Sequence, residues 1–271
     1  MINGNNSSPQ SGIGIDWQVT NQPTGAGASV TPTSSATDSA GLASSTMKLG
    51  SLPGDYIVNA TCSQCTSGSP QTFTATAKCQ DVPQYHQDDY SDPYDSICKD
   101  YTNLTSSGAP GVKACGPSDE TWKIKAKGCM LTNMAMILAR YGTSFDPGTL
   151  NNAMTSDIDG YTEDGDVKLQ LPDVVTGTQI KYIEDSAYEG DFNRKITVPK
   201  SLMDDYFKKC MPVIVQVYNS LTKSMHWVVV TGKNGDDYTI NDPGYRANTR
   251  LSQYGDIYKI RPYENQTGGC Q

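Results

Sequence analysis

The chain has eight cysteines but only two histidines, His86 and His226, so few side chains can pair a nucleophile with a base that works near neutral pH. One cysteine, Cys129, lies in the segment KGCMLTNMAMILARYG, directly after a glycine. The apolar residues that follow, from Leu131 to Tyr141, recur with the spacing of a helix that buries one face. Cys129 is therefore predicted at the N-terminal end of a buried helix, where unpaired N–H groups and the helix dipole favour a thiolate. The alternatives are a small core cysteine or half of a disulfide.

His226 opens the predicted strand HWVVVTG, and the turn KNGD leads from it into the returning strand DYTIND. Because Asn-Gly is a strong hairpin signal, we expect His226 and Asp242 at the same end of adjacent strands. Whether the two side chains share a face depends on the register, since a slip of one residue inverts the faces. A carboxylate beside an imidazole fixes its tautomer, and an imidazolium beside a thiol activates it as a nucleophile. The alternatives are a half-buried strand histidine and an aspartate that caps the NDPG turn.

Together, these two blocks resemble the papain-fold cysteine peptidases related to the bacteriocin-leader (double-glycine) peptidases. In that family a GCxxT-xxAM helix carries the nucleophile, and an HxVVV-G…NDP hairpin carries the base and its orienting carboxylate. The resemblance covers about residues 82–262. It implies that Cys129 is the nucleophile, His226 the general base and acid, and Asp242 the orienting residue.

The resemblance also extends to the segment VPQYHQDDY, upstream of the cysteine. It implies that the side-chain amide of Gln87 helps to form an oxyanion hole, with the backbone N–H of Cys129 as a second donor. The alternative is that Gln87 is a solvated loop residue. The chain departs from the family in the insertion between Gln87 and Cys129, where Cys98 and Cys115 are predicted to pair. No transporter sequence accompanies the peptidase segment, so leader cleavage coupled to export is not implied.

The helices and strands that are predicted around these site residues indicate an α+β domain. Helical patterns come first, in the Cys129 segment, in FDPGTLNNAM and in KSLMDDYFKKCM. Four β segments follow: PVIVQVY, HWVVVTG, DYTIND and DIYKIRP. Helices followed by consecutive strands are typical of an α+β arrangement with an antiparallel sheet. Residues 81–271 are therefore predicted to form a papain-like cysteine peptidase domain, with a helical part and an antiparallel sheet.

The preceding residues, 13–80, are predicted to form a small all-β sandwich. Apolar residues alternate with polar ones in GIDWQVTN, DYIVNATC and TFTATAKC, and turn clusters separate these segments. The phrase TMKLGSLPGDYIVNATC resembles bacterial immunoglobulin-like domains, and the module would be available to contact a surface or a partner protein. Residues 1–12 lack the basic and apolar parts of a signal peptide and are predicted to be a disordered leader.

Composition excludes several classes of partner. The net charge of −8 and the pI near 4.7 argue against nucleic acid and anionic membranes. No apolar run reaches the ~18 residues of a membrane span, so no membrane insertion is predicted. Eight cysteines favour an oxidising compartment, and we expect a secreted or periplasmic bacterial protein.

Neither a cofactor nor a metal ion is predicted. Cys62 and Cys65 form a CxxC motif, but no second motif completes a zinc site, so a structural disulfide is favoured over redox or metal use. A bridge between Cys62 and Cys79 is the alternative to a local one, because both continue the inward-facing alternation of their strands. The acidic segment DIDGYTEDGDV fails as an EF-hand loop, since Thr162 and Lys168 occupy the positions that require glycine and glutamate.

The predicted function is that of a cysteine peptidase, which hydrolyses peptide bonds of a peptide or protein substrate through Cys129, His226, Asp242 and Gln87. One alternative is a catalytically silent adhesion or assembly module, in which Cys129 is disulfide-bonded. Another keeps the cysteine–histidine chemistry but uses it for acyl transfer or for cleavage of cell-wall amides.

Overall fold

A computed structural model describes residues 9–94, 120, 123–156, 158, 160–162, 166–177, 179–184 and 200–266. The chain divides into two compact units. Unit 1 comprises the described residues up to Gln80 together with Lys208–Cys210, and unit 2 comprises those of Asp81–Phe207 and Met211–Thr267. The predicted pairing of Cys98 with Cys115 and most of the predicted leader lie outside the described residues.

Unit 1 consists of short antiparallel strands, as the alternating pattern predicts. The strands are β1 (Gly14–Asn21), β2 (Ser29–Thr31), β3 (Ser34–Ala36), β4 (Thr46–Lys48), β5 (Gly54–Thr61) and β6 (Gln71–Ala77). Four of them form a sheet in the order β3-β1-β5-β6, and β2 pairs with β4. The immunoglobulin-like assignment of this unit remains a prediction.

The apolar face of the larger sheet is only partly covered. Tyr56 and Ala77 are buried beneath residues that include Met47 of β4. Phe73, which the alternation also turns inward, is 54% exposed and contacts the half-buried ring of Trp17 at a centroid distance of 6.1 Å. Strands β2 and β4 are only three residues long, whereas β6 has seven residues, and Met47 is the residue of these two strands that packs on this core.

Two disulfides are formed by the described cysteines, and they settle which of the predicted pairings is right. Cys62 bonds to Cys65, so the CxxC motif is a local bridge. The alternative pairing of Cys62 with Cys79 is wrong, because Cys79 bonds to Cys210 at a sequence separation of 131. Among the residues that the structure describes, no three or more histidine, cysteine, aspartate or glutamate side chains are grouped as a metal site would need.

Unit 2 contains helices and an antiparallel sheet, as predicted. Its helices are α1 (Ile124–Lys127), α2 (Cys129–Arg140), α3 (Pro147–Ser156), α4 (Leu171–Thr176) and α5 (Lys200–Lys208). Its strands are β7 (Ile180–Tyr182), β8 (Val213–Asn219), β9 (Ser224–Asn234), β10 (Asp237–Asn241) and β11 (Ile257–Asn265), in the order β10-β9-β8-β11-β7. None of the helices in the described part of the chain is long and apolar enough to cross a membrane.

Helix α2 is the centre of the main core of unit 2. The sequence pattern predicts one buried face, but every residue from Met130 to Leu138 is buried. The helix packs on one face of the sheet, at residues such as Ile214 and Val229, and on α3 at residues such as Leu150. A second core fills the opposite face of the sheet, beneath α5. A helix enclosed in this way gives its first residue a fixed position.

Candidate active site

Cys129 is the first residue of α2, and its thiol is free and partly exposed. Helix α1 leads directly into α2 through Gly128, whose N–H donates to the carbonyl of Ile124 at 2.7 Å. The carbonyl of Gly128 in turn accepts from the N–H of Thr132 at 2.8 Å, which begins α2. The short helix and the glycine thus hold the cysteine at the end of a buried helix, with its side chain open to an adjoining cleft.

Gly128 is required at this junction by close packing. A Cβ at this position would lie 2.5 Å from the carbonyl oxygen of Ile124 and 2.6 Å from its Cγ2. We therefore expect Gly128→Ala to destabilise the protein by about 1–3 kcal/mol, as overpacking does. Urea unfolding measures this effect. The control is Gly14→Ala, where the new Cβ meets nothing within 4 Å; equal stability of the two variants would contradict the packing argument.

A bulge in the β9–β10 hairpin determines the face on which Asp242 lies. Near the turn, Thr239 pairs with Gly232, and that register, if continued, would put Asp242 opposite Val229, on the face away from His226. The register shifts after Thr239, which leaves one extra residue, Thr231, in β9.

Beyond the bulge, Ile240 pairs with Val230 and Asn241 with Val229. Partners in an antiparallel pair point to the same face, so Ile240 shares a face with Val230, and Asp242 and His226 follow by alternation. The bulge therefore places His226 and Asp242 on the same face, a point that the Asn-Gly turn alone could not decide.

The side chains of His226 and Asp242 form a buried hydrogen-bonded pair. Nε2 of His226 lies 2.8 Å from Oδ1 of Asp242, and the two residues are 7% and 0% exposed. The same Oδ1 accepts from the N–H groups of Gly244 at 2.9 Å and Tyr245 at 3.0 Å. The carboxylate of Asp242 therefore caps the NDPG turn and is hydrogen-bonded to the histidine at the same time.

The contacts around His226 favour its charged form. Burial alone lowers the pKa of an imidazole, but hydrogen bonds with Asp242 and with Cys129 raise the pKa of His226 to about 9. Burial likewise acts to raise the pKa of Asp242, yet the hydrogen bond and the charge of His226 hold it below its usual value. Since Nε2 is bonded to Asp242, Nδ1 is the ring nitrogen left for a second partner.

The raised pKa of His226 predicts a loss of stability at alkaline pH. A group whose pKa rises on folding contributes stability that is complete below its unfolded value of about 6.5 and is lost as pH rises through its folded value. With a folded value of about 9, the loss is on the order of 3 kcal/mol between about pH 6.5 and 9.5. Urea unfolding at several pH values measures it. The decline should vanish in His226→Gln, and an equal decline in that variant would refute its assignment to this imidazole.

Gln87 is buried and fastened to two parts of the site. It begins a 3₁₀ turn, Gln87–Asp89, and its N–H donates to the carbonyl of Pro243 at 2.8 Å. Its side-chain Nε2 donates to the carbonyl of Lys125 at 2.8 Å, on the helix that precedes Cys129. Arg246 pairs with Asp89 at 2.6 Å and adds a second link between this turn and the NDPG loop. Gln87 is thus not a solvated loop residue.

Sequence reasoning missed three residues that surround the imidazole. The hydroxyl of Tyr254 donates to Oδ2 of Asp242, and its ring centroid is 5.9 Å from that of His226. The ring of Tyr245 meets the imidazole edge-on at 5.4 Å. A Cβ on Gly244 would lie 3.1 Å from Cε1 of His226, so a side chain there would press on the ring. Gly244 and Tyr245 could have been found from their place in the NDPGY turn, but no local pattern marks Tyr254.

A cleft of about 550 Å³ adjoins Cys129. The N-terminal residues of α2 line one side, and residues of the sheet, among them Gln216 and Trp227, line another. Strand alternation predicts that Trp227 points away from the face of His226 and packs in the core. The ring does pack against the α2 core, but it also lines the cleft.

Comparison with family models places unit 2 in the class of papain-fold peptidases, because one such model matches residues 79–269. The chain belongs to the Peptidase_C39 like family. Family membership supports a peptidase that acts on a peptide or protein substrate, and it does not extend to bacteriocin-leader specificity.

The search of solved structures gives a weaker likeness. A crystal structure described as that of a C39-like peptidase from Bacillus anthracis is 14% identical, with a TM-score of 0.35. The match covers 52% of this chain and 90% of that chain. None of the curated proteins matches the chain.

Proposed function

We propose that the protein is a cysteine peptidase in which Cys129, His226 and Asp242 act together. The observation that carries the proposal is the environment of one imidazole, which is hydrogen-bonded to a buried carboxylate and whose pKa is raised by that carboxylate and by the free thiol of Cys129 at a helix N-terminus. A thiol, an imidazole and an orienting carboxylate in that sequence make up the machinery of nucleophilic acyl transfer.

In the proposed reaction, the thiolate of Cys129 attacks the carbonyl carbon of the scissile peptide bond. The imidazolium of His226 then gives its proton to the leaving amine, and the C–N bond breaks to form an acyl-enzyme. Neutral His226 next takes a proton from water, which attacks the thioester and releases the acid product and the thiol. Asp242 keeps the ring oriented through both steps and stabilises its charge.

Gln87 is proposed to donate to the oxyanion of the tetrahedral intermediate. One hydrogen of its Nε2 is used by the carbonyl of Lys125, which fixes the amide against α1, and the second hydrogen remains for the substrate oxygen. The backbone N–H of Cys129 is the other proposed donor. Losing one such donor costs about 10²–10³ in rate.

The silent adhesion module loses support because it required a disulfide at Cys129, and that thiol is free. For the whole chain we propose the predicted arrangement, with an immunoglobulin-like module at 13–80 followed by the peptidase domain at 81–271. Two disulfides fit an oxidising compartment outside the cytoplasm.

The test is selective alkylation of the native chain by iodoacetamide near neutral pH, followed by peptide mapping and cleavage of a peptide library. We expect Cys129 to be labelled first and cleavage to fall in proportion to its labelling. Full labelling of Cys129 with unchanged cleavage would contradict the proposal, as would an intact mass with all eight cysteines oxidised. Transfer of the acyl group to an added amine in preference to water would instead favour the acyltransferase.

A further inference from the structure

The two carboxylate oxygens of Asp242 have different partners. Oδ1 lies 2.8 Å from Nε2 of His226 and accepts from the N–H groups of Gly244 and Tyr245. Oδ2 accepts from the hydroxyl of Tyr254, its one donor in the described part of the chain. Because Asp242 is 0% exposed, removal of that donor would leave a charged oxygen buried without a hydrogen bond. Tyr254 therefore stabilises the carboxylate through the oxygen that the imidazole does not use.

Side chains beyond Tyr254 determine the direction in which its hydroxyl points. Oε1 of Gln253 accepts from the N–H groups of Thr249 and Arg250, both at 2.9 Å, so Nε2 is the end that donates. It donates to Oδ1 of Asn248 at 3.2 Å, and Nδ2 of Asn248 donates to the oxygen of Tyr254 at 2.9 Å. An ionised carboxylate only accepts hydrogen bonds, so the single hydrogen of this hydroxyl is directed to the carboxylate.

Tyr254 is protonated and Asp242 is charged near neutral pH. Burial raises the pKa of Tyr254, and the hydrogen bond and charge of Asp242 raise it further, so the hydroxyl keeps its hydrogen. Tyr245, which also faces Tyr254, acts in the same direction. Burial also acts to raise the pKa of Asp242, but the hydrogen bonds with His226 and Tyr254 hold it below its usual value. The pair therefore consists of a neutral donor and a charged acceptor.

We propose that Tyr254 is a positioning residue, which holds Asp242 through Oδ2 so that Oδ1 stays on the imidazole of His226. The inference rests on the proposed function, because the orientation of this imidazole affects cleavage only if His226 serves the nucleophile Cys129. The ring of Tyr254 also helps to enclose the imidazole, since the two ring centroids are 5.9 Å apart. Without the hydroxyl, the charged form of Asp242 would lose a donor, and the carboxylate would be able to turn away from His226.

The first test is Tyr254→Phe, which keeps the ring and removes the hydroxyl. We expect kcat to fall about 10-fold or more with KM within about threefold, because a charge-assisted hydrogen bond is lost while the substrate contacts stay. The pKa of Asp242 should rise by about one to two units, because its charged form loses that bond. Proton NMR measures this rise, since protonation of Asp242 at acid pH moves the imidazole signals of His226. An acid inflection that stays at its native pH in Tyr254→Phe would overturn the inference.

The matched control is Tyr238→Phe, near the β9–β10 turn, which removes a hydroxyl that donates to Oδ1 of Asp204 at 3.2 Å. The chemical change is the same, but we expect kcat and the titration of His226 to stay at their native values. A merely structural role for Tyr254 would lower the stability of both variants and leave the titration of His226 in place. The titration therefore separates a positioning role from a structural one.

A second variant acts on Tyr254 from its other partner. Asn248→Asp replaces the amide that donates to the hydroxyl with a carboxylate that competes for the same hydrogen and adds a like charge. We expect the pKa of Asp242 to rise and kcat to fall, although the substituted residue is bonded to Tyr254 and not to the carboxylate of Asp242. An unchanged pKa of Asp242 would contradict the chain of hydrogen bonds that leads from Gln253 to Asp242.

The NMR titration needs no substrate, so it separates failure of the inference from failure of the proposed function. If the native chain cleaves no peptide, the peptidase proposal fails, while a raised pKa of Asp242 in Tyr254→Phe still supports the link between these two residues. If the native chain cleaves peptides and Tyr254→Phe cleaves them with the native kcat, the peptidase stands and the inference is overturned.

Discussion

Cys129→Ala is expected to abolish peptide cleavage, with kcat/KM falling by at least about 10⁴-fold. In a hydrolase that works through a covalent intermediate, removing the nucleophile lowers the rate by about 10⁶-fold. Substrate binding and oxyanion stabilisation account for the activity that remains. The folded state should survive, because the thiol is partly exposed at the end of α2 and forms no disulfide. Kinetics on a peptide that the native chain cleaves measure the change, and circular dichroism verifies the fold.

The control for Cys129→Ala removes sulfur elsewhere. The double variant Cys62→Ala/Cys65→Ala deletes a bridge that spans three residues in unit 1, and so short a loop constrains the unfolded chain little. Its kcat/KM should stay within about threefold of the native value. This change is far smaller than the one expected when the nucleophile is removed. Residual cleavage in Cys129→Ala above about 1% of the native rate would mean that another group is the nucleophile.

Asp242→Asn is expected to lower kcat/KM by about 10²–10⁴-fold, as loss of the orienting carboxylate does in hydrolase triads. The carboxylate accepts from His226, Gly244, Tyr245 and Tyr254. An amide can keep the oxygen that caps the turn, but it carries no charge to stabilise the imidazolium. The pKa of His226 should therefore fall from about 9, and the alkaline limb of the pH–rate profile should move to lower pH.

Proton NMR provides an independent readout of this change, because the chain has two histidines and hence few imidazole signals. The matched control is Asp237→Asn at the other end of β10, where the carboxylate accepts from the hydroxyl of Ser252 at 2.6 Å. That variant should leave the titration of His226 and the rate unchanged. An unshifted His226 titration in Asp242→Asn would contradict the coupling of the two residues.

Local patterns in the sequence predicted the elements that carry the site. The spacing of apolar residues after Cys129 placed a helix there, and the Asn-Gly turn placed the β9–β10 hairpin. Both features depend on neighbours within one helix or one turn. The pattern also underestimated the burial of α2, since it predicted only one buried face. The other faces are covered by α3 and the sheet, which are contributed by distant parts of the chain.

Features that depend on distant partners could not be predicted. The hydrogen bond of Tyr254 to Asp242 joins residues in separate elements, and the pairing of Cys79 with Cys210 has no local signal. The cleft beside Cys129 likewise forms only when β8, β9 and β11 come together. The bulge at Thr231 is the most instructive case, since a pattern of alternating residues carries no mark of where a register shifts.

His226 and Asp242 are 16 positions apart in the sequence. Because β9 contains one extra residue, this even separation places the two side chains on the same face of the sheet. A relative whose hairpin is one residue shorter would keep its acid on the face of the histidine only if the bulge were lost with that residue. Insertions in pairs at the tip of the hairpin would leave the dyad intact. Alignments across this hairpin should therefore count the extra residue of the bulge as well as the residues of the turn.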